Sequence, residues 1–321
     1  MQQLKFGILG FGKHASRVML PAINQSKNCT LSAVGTNSGR SDLTSQVLDQ
    51  EVEVFSSYAE LVNSSGVEAV YISLPNSMHC EWTLRALDCG KHVLCEKPLA
   101  MSQSDADKMS TRAQESGLAL LEALMIRFHP IHARVEEMIR SGEIGSIKRL
   151  ESDFTYELHE ANNIRAKPEL GGGASYDTLC YHLETCRRFL GLAPVDFHSE
   201  AVIQNGLDVE AKYTLSYPSG VSAVLYSSLR SPNRHSYRIV GTKGTISVPK
   251  AYLISRLSHS EIEILKPKHP TQKISVPAEN QYVNMIETFA YATAQPSILD
   301  PFLTDSAASC ALTEQLIRSI R

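Results

Sequence analysis

The sequence predicts an α/β protein in two parts: a doubly wound parallel sheet over residues 1–125, then an α+β domain over 126–321 on a large, mostly antiparallel open sheet. Three observations carry this reading. Short apolar runs alternate with amphipathic stretches through the first ~125 residues, the pattern of parallel strands joined by helices. Beyond about residue 145, strand-like runs follow one another without helical crossovers. A chain of 321 residues is also too long for one small core and suits two domains.

The strand candidates of the first part are LKFGIL (4–9), TLSAVGT (30–36), VEVF (52–55), EAVYISL (68–74), HVLCE (92–96) and LALLEAL (118–124). Helical stretches near 13–25, 40–50, 58–64, 77–90 and 103–117 separate them, and another at 130–141 follows the last. Connections of this length make the strands parallel, and right-handed crossovers then place helices on both faces. In the second part IKRLESDFTYEL, VDFHSEAVIQ, VEAKYTLSYPSG, VSAVLYSSLR, HSYRIVGTKGTISVP and EIEILK read as strands. Turn signals such as Pro218-Ser219-Gly220 and Thr242-Lys243-Gly244 punctuate them. One face of that sheet would pack on helices, chiefly 175–190, leaving the other for a partner subunit or a ligand. Helices near 281–294 and 302–320 close the chain and are candidates to pack back on the first domain. The boundary is expected between 125 and 145.

Composition narrows the functional classes. Hydrophobic residues make up 43% and charged ones 20%, an ordinary globular balance. A net charge of −3 offers no electrostatic footprint for nucleic acid or an acidic membrane. No apolar run approaches the ~20 residues a membrane helix needs, and MQQLKFGILG has none of the features of a secretory leader. Seven cysteines without a Cys-x-x-Cys pair suggest reduced thiols in a cytoplasmic protein, with no zinc site or disulfide framework.

The chemistry-bearing stretches fall at strand ends. GILGFGKHA places Gly10, Phe11, Gly12, Lys13 and Ala15 at the first strand–helix turn. There a tight turn, a close backbone approach and a helix N-terminus suit a pyrophosphate, as in a Rossmann domain. NAD-binding domains of this type end the second strand in a carboxylate that binds the ribose hydroxyl. Here AVGTNSGRS has no acid before Asp42; Thr36, Asn37 and Ser38 donate without negative charge, and Arg40 could meet a 2′-phosphate or simply start a helix. NADP is therefore favoured over NAD. SLPNSMH brings Leu74, Pro75, Asn76 and His79 to the end of the fourth strand, either as a capped helix start or as a ligand-bearing loop. HVLCEKPLAM delivers Glu96 and Lys97 to the same edge.

The stretch PELGGGASYDTLCYHLETCRRFLG predicts a helix on which Asp177 and Tyr181, four apart, share a face. His182 lies beside the apolar face formed by Leu179, Leu183, Cys186 and Leu190, so it reads first as a packed structural histidine and second as a substrate contact. Arg127 in RFHP and Arg165 in NNIRAKPELGGG are the other substrate candidates, each equally readable as a surface charge or an interdomain contact.

Together these segments resemble the glucose–fructose oxidoreductase / inositol dehydrogenase / MocA family over nearly the whole chain. GILGFGKHA, YISLPNSMHCEWTLRALDCGKHVLCEKPLA and GGGASYDTLCYH carry the likeness. EALMIRFHP and NIRAKPELGGG look most like the branch of NADP-dependent xylose dehydrogenases and dimeric dihydrodiol dehydrogenases. The resemblance implies hydride transfer between nicotinamide and a sugar, polyol or related small hydroxylated or carbonyl substrate. In it Lys97 is the proton-transfer group, Tyr181 assists and Asp177 orients the substrate. Desolvation and an oxidised nicotinamide would draw such a lysine down from its ordinary pKa of about 10.4. A homodimer or homotetramer through the open sheet face is implied too. Relatives that are nicotinamide-binding regulators or NAD-dependent glycosidases supply the alternatives. Leu179 departs from the family's usual glycine, and Thr36-Asn37 from the Ser-Arg pair frequent in NADP users.

Overall fold

The computed structural model describes residues 3–37, 43, 47, 51–160, 162–254 and 259–320. The chain forms two compact units, Met1–Leu124 with Tyr282–Cys310, and Met125–Gln281 with Ala311–Arg321.

In the first unit, β1 (Leu4–Leu9), β2 (Cys29–Gly35), β3 (Glu53–Phe55), β4 (Ala69–Ile72), β5 (His92–Cys95) and β6 (Leu120–Glu122) form one parallel sheet. Its order is β3-β2-β1-β4-β5-β6, so the strand order reverses between β1 and β4, where doubly wound sheets bind ligands beyond the carboxyl ends. Every residue of β4 is buried, as expected of a strand covered on both faces.

The first helix contains a π-helical stretch, Ala15–Met19, just ahead of α1 (Leu20–Gln25), a feature the sequence pattern does not announce. Ser57 caps α2 (Tyr58–Asn63) by accepting the Glu60 N–H, and Ser102 caps α4 (Gln103–Ser116) by accepting that of Asp105. Between them, α3 (His79–Asp88) buries Trp82, Thr83, Ala86 and Leu87. The expected helix at 40–50 falls mostly outside the described residues. From α7 (Gln281–Ala292), Phe289 packs on Phe6 with ring centroids 5.7 Å apart, and the Glu287 carbonyl accepts the Asn28 side chain.

Among its described residues the second unit contains α5 (Pro130–Arg140), α6 (Ala174–Leu190) and eight strands. These are β7 (Ile147–Glu157), β8 (Asp196–Gln204), β9 (Leu207–Ser216), β10 (Ser222–Ser228), β11 (Arg230–Gly241), β12 (Thr245–Val248), β13 (His259–Leu265) and β14 (Gln272–Pro277). The order is β14-β13-β12-β11-β7-β10-β9-β8, antiparallel except for the β7–β10 pair. Of the β14 residues only Val276 is buried, which explains why this polar edge strand escaped the hydrophobic pattern. Helix α6 packs on β7, β9 and β10 through a face where Leu179, Leu183 and Cys186 are fully buried. Leu179 thus fills the core.

Side chains on the other sheet face form ion pairs across strands, Arg238 with Glu151, Arg234 with Asp153, and Lys273 with both Glu261 and Glu263. The last helix, α8 (Asp300–Arg318), contributes its residues up to Cys310 to the first unit.

Candidate active site

The cofactor loop is built by the end of β1. Gly10 has φ +83°, and a Cβ there would meet the Ser73 carbonyl oxygen and Leu74 at 2.8 Å, so the turn requires glycine. The Gly10 N–H donates to the Gly35 carbonyl at 3.0 Å, tying the loop to the end of β2. Gly12 is exposed, with no atom within 4 Å of where a Cβ would lie, and Lys13 beside it is exposed too. Ala15 and Phe11 are buried. Thr36 is buried and donates its N–H to the Phe55 carbonyl, while Asn37 is exposed. Ser38 and Arg40 lie outside the described residues. The open backbone at Gly12, the uncharged strand end and the helix start fit a dinucleotide.

The loop after β5 carries Lys97 and is held from several sides. Glu96 accepts the Tyr71 hydroxyl on Oε1 at 2.5 Å and the Lys97 N–H on Oε2 at 3.2 Å, and His14 Nε2 lies 3.4 Å from Oε1. Burial alone would raise this carboxyl, but His14, then Tyr71 and Lys97, outweigh it and hold Glu96 at about 2. Glu122 at the end of β6 accepts the Leu99 N–H at 3.1 Å and the Ser306 hydroxyl at 2.6 Å. The Lys97–Pro98 peptide is cis.

His79, expected to touch the cofactor, is fully buried, with Nδ1 2.8 Å from the Pro98 carbonyl oxygen and Nε2 3.0 Å from that of Leu74. Both ring nitrogens are spent on backbone, so its expected role is corrected to a bridge between two loops. Leu74 is buried, whereas Pro75 and Asn76 remain half-buried.

In the second unit the three glycines explain how Arg165 reaches α6. A Cβ on Gly172 would lie 2.5 Å from the Arg165 carbonyl oxygen, and one on Gly173 (φ +108°) would lie 2.3 Å from Asp208 Oδ1. The Gly173 N–H donates to Arg165, while Asp208 accepts the Ser175 N–H at the start of the helix. One turn on, Arg165 Nε meets Asp177 Oδ1 at 2.9 Å, and the Tyr156 hydroxyl donates to Oδ2 at 2.6 Å. Asp177 raises the Arg165 pKa further above its ordinary value.

Tyr181, one turn beyond, packs its ring 4.9 Å from Phe154 and 5.4 Å from Tyr252. The structure thus brings Arg165, Asp177 and Tyr181 together and adds Tyr156. That residue was missed, although the alternation in DFTYE places it on the Phe154 face of β7.

Two substrate candidates are withdrawn. Arg127 is paired with Glu184 at 3.0 Å, both side chains only 2% exposed, so it is an internal ion pair. His182 is fully buried, with Nδ1 2.6 Å from the Ser152 hydroxyl and Nε2 3.3 Å from that of Ser227. Burial takes its pKa down to about 3. Among the described residues no group of three or more His, Cys, Asp or Glu could hold a metal ion, and no helix is long and apolar enough to cross a membrane.

Comparison with known proteins agrees with this construction. Residues 4–123 match the family model described as "Oxidoreductase family, NAD-binding Rossmann fold", and residues 132–247 match the GFO/IDH/MocA C-terminal domain. The chain is 30% identical to D-xylose 1-dehydrogenase (NADP(+)) 2 of Haloferax volcanii, over 90% of this chain and 89% of that protein. It is 31% identical to the dTDP-3,4-didehydro-2,6-dideoxy-alpha-D-glucose 3-reductase of Streptomyces violaceoruber, over 91% and 86%. The crystal structure of a 3-ketoreductase from Actinomadura kijaniata with NADP and TDP-benzene superposes with a TM-score of 0.93 at 27% identity, covering 100% of this chain and 98% of that one. The chain belongs to the GFO/IDH/MocA family of oxidoreductases.

Proposed function

We propose that this protein is an NADP-dependent oxidoreductase acting on a sugar, a nucleotide-linked sugar or a related hydroxylated compound, with Lys97 as its proton-transfer group. The observation that carries the reading is the fixed backbone of the loop that carries Lys97. Its loop leaves the carboxyl end of β5, and Glu96, His79 and Glu122 hold the backbone of Lys97, Pro98 and Leu99 in turn. A lysine so placed takes the hydroxyl proton when the carbinol is oxidised and returns it when the carbonyl is reduced. NADP, when bound, accepts or supplies the hydride.

NADP is favoured because the end of β2 carries no carboxylate among the described residues. The Haloferax volcanii relative is also named for NADP(+), and the Actinomadura kijaniata structure holds it. Tyr181 donates a hydrogen bond to the reacting oxygen. Asp177, oriented by Arg165 and Tyr156, accepts hydrogen bonds from the substrate's neighbouring hydroxyls. A homodimer or homotetramer through the ion-paired sheet face, in a cytoplasmic protein, completes the proposal; light scattering giving a monomer mass would remove the oligomer.

The test is absorbance at 340 nm with NADP(H) and then NAD(H). Substrates would be aldoses, polyols, trans-dihydrodiols and a nucleotide-linked keto-sugar. Turnover with NADP(H) preferred is expected. Cleavage of a glycoside with no net absorbance change, or cofactor binding with no turnover of any kind, would replace the proposal with a glycosidase or a regulator.

A further inference from the structure

A neutral imidazole has one N–H and one lone pair, whereas a carbonyl oxygen only accepts. His79 faces two carbonyl oxygens, Pro98 at 2.8 Å on Nδ1 and Leu74 at 3.0 Å on Nε2, in a position with no exposed surface. Both contacts are hydrogen bonds only when both ring nitrogens carry protons. With a neutral ring, one carbonyl would face a lone pair with no water to replace the donor. The two carbonyls lie at functional places: Leu74 starts the loop after β4, and Pro98 follows Lys97.

We propose that His79 is a positioning residue for Lys97, a bridge, complete when both ring nitrogens are protonated, that fastens the loop carrying the lysine to the loop after β4. The inference rests on the assignment of proton transfer to Lys97.

The charged groups around the ring are Glu96, which favours its charge, and Lys97, which opposes it; Glu122 reaches the same loop at Leu99. Burial, the largest influence, holds the ring's pKa below its ordinary value against the carbonyls and Glu96. The complete bridge is therefore the form of the acid side. As pH rises and the ring loses a proton, one of the two carbonyls is released.

The experiment is nitrogen-15 NMR of histidine-labelled full-length protein across pH 5 to 8, with His79→Asn for assignment, beside kcat and KM profiles of both proteins. The expected result is two protonated ring nitrogens at the acid end and one at the alkaline end. The Leu99 amide should move with the same midpoint. In His79→Asn, kcat should fall about tenfold or more and lose any inflection at that midpoint, with NADPH affinity within about twofold of wild type.

A ring with a single N–H throughout overturns the bridge, even if the variant folds poorly. A bridge present in the spectra beside an unaltered kcat profile in His79→Asn overturns the positioning role. Failure of Lys97 itself in turnover, with the nitrogen spectra as expected, would strike the proposed function and leave the bridge standing.

Discussion

Two fully buried histidines, one in each unit, have both ring nitrogens engaged and yet do opposite jobs. His79 contacts two carbonyls, which only accept; His182 contacts the Ser152 and Ser227 hydroxyls, which can donate or accept. Around His182 the neighbours adapt as well: Ser152 also pairs with the Tyr252 hydroxyl, and Ser227 accepts from Thr178. That network accommodates a neutral ring without leaving either nitrogen against a group that can only accept. The carbonyls at His79 cannot turn, so both contacts are hydrogen bonds only while both ring nitrogens carry protons. Burial lowers the pKa of both rings, and the partners decide what burial means.

The largest effect is expected at His182. Replacing it by alanine leaves a cavity and two buried hydroxyls short of a partner, and should cost about 3 kcal/mol of stability at neutral pH. Urea unfolding read by circular dichroism measures this. A loss below about 1 kcal/mol would mean that the hydroxyl network repacks around the gap.

The same variant sharpens the acid response. His132 and His182 have folded pKa values lowered to about 3, below the ordinary 6.5, so the unfolded chain takes up their protons first. Their contribution is complete above pH 6.5 and is lost as pH falls toward 3, at about 1.4 kcal/mol per pH unit for each. Glu96 behaves alike at lower pH. Its folded value of about 2 lies below the ordinary 4.5, so its contribution is present above 4.5 and lost on the way to 2. Unfolding midpoints between pH 6.5 and 4.5 should decline less steeply in His182→Ala than in wild type. Parallel declines would show that the buried ring is not the titrating group.

Much of this architecture was legible in the chain. All six strands of the first sheet were readable because runs such as EAVYISL and HVLCE are apolar on both faces and helices punctuate them. β14 was not, since QKISVP buries a single side chain. At the site, residue types were legible and partners were not. Glu96 and Lys97 stand out in CEKP, but Tyr71 is 25 residues from Glu96, and Ser306 is 184 from Glu122. No local pattern encodes such pairs. His79 and His182 are adjacent to equally suggestive motifs, and only the atoms facing their rings separate a bridge from a core residue. Arg127 misled for the same reason, because Glu184 lies 57 residues away.

The central claim is that Lys97 moves the substrate proton while the rest of its loop serves to hold it. The most direct measurement compares Lys97→Ala with wild type for steady-state turnover at 340 nm and for NADPH binding by fluorescence titration. A kcat lowered about a thousandfold, with NADPH affinity within about twofold of wild type, is the predicted result. A kcat within about threefold of wild type would contradict it and move the proton chemistry to another residue.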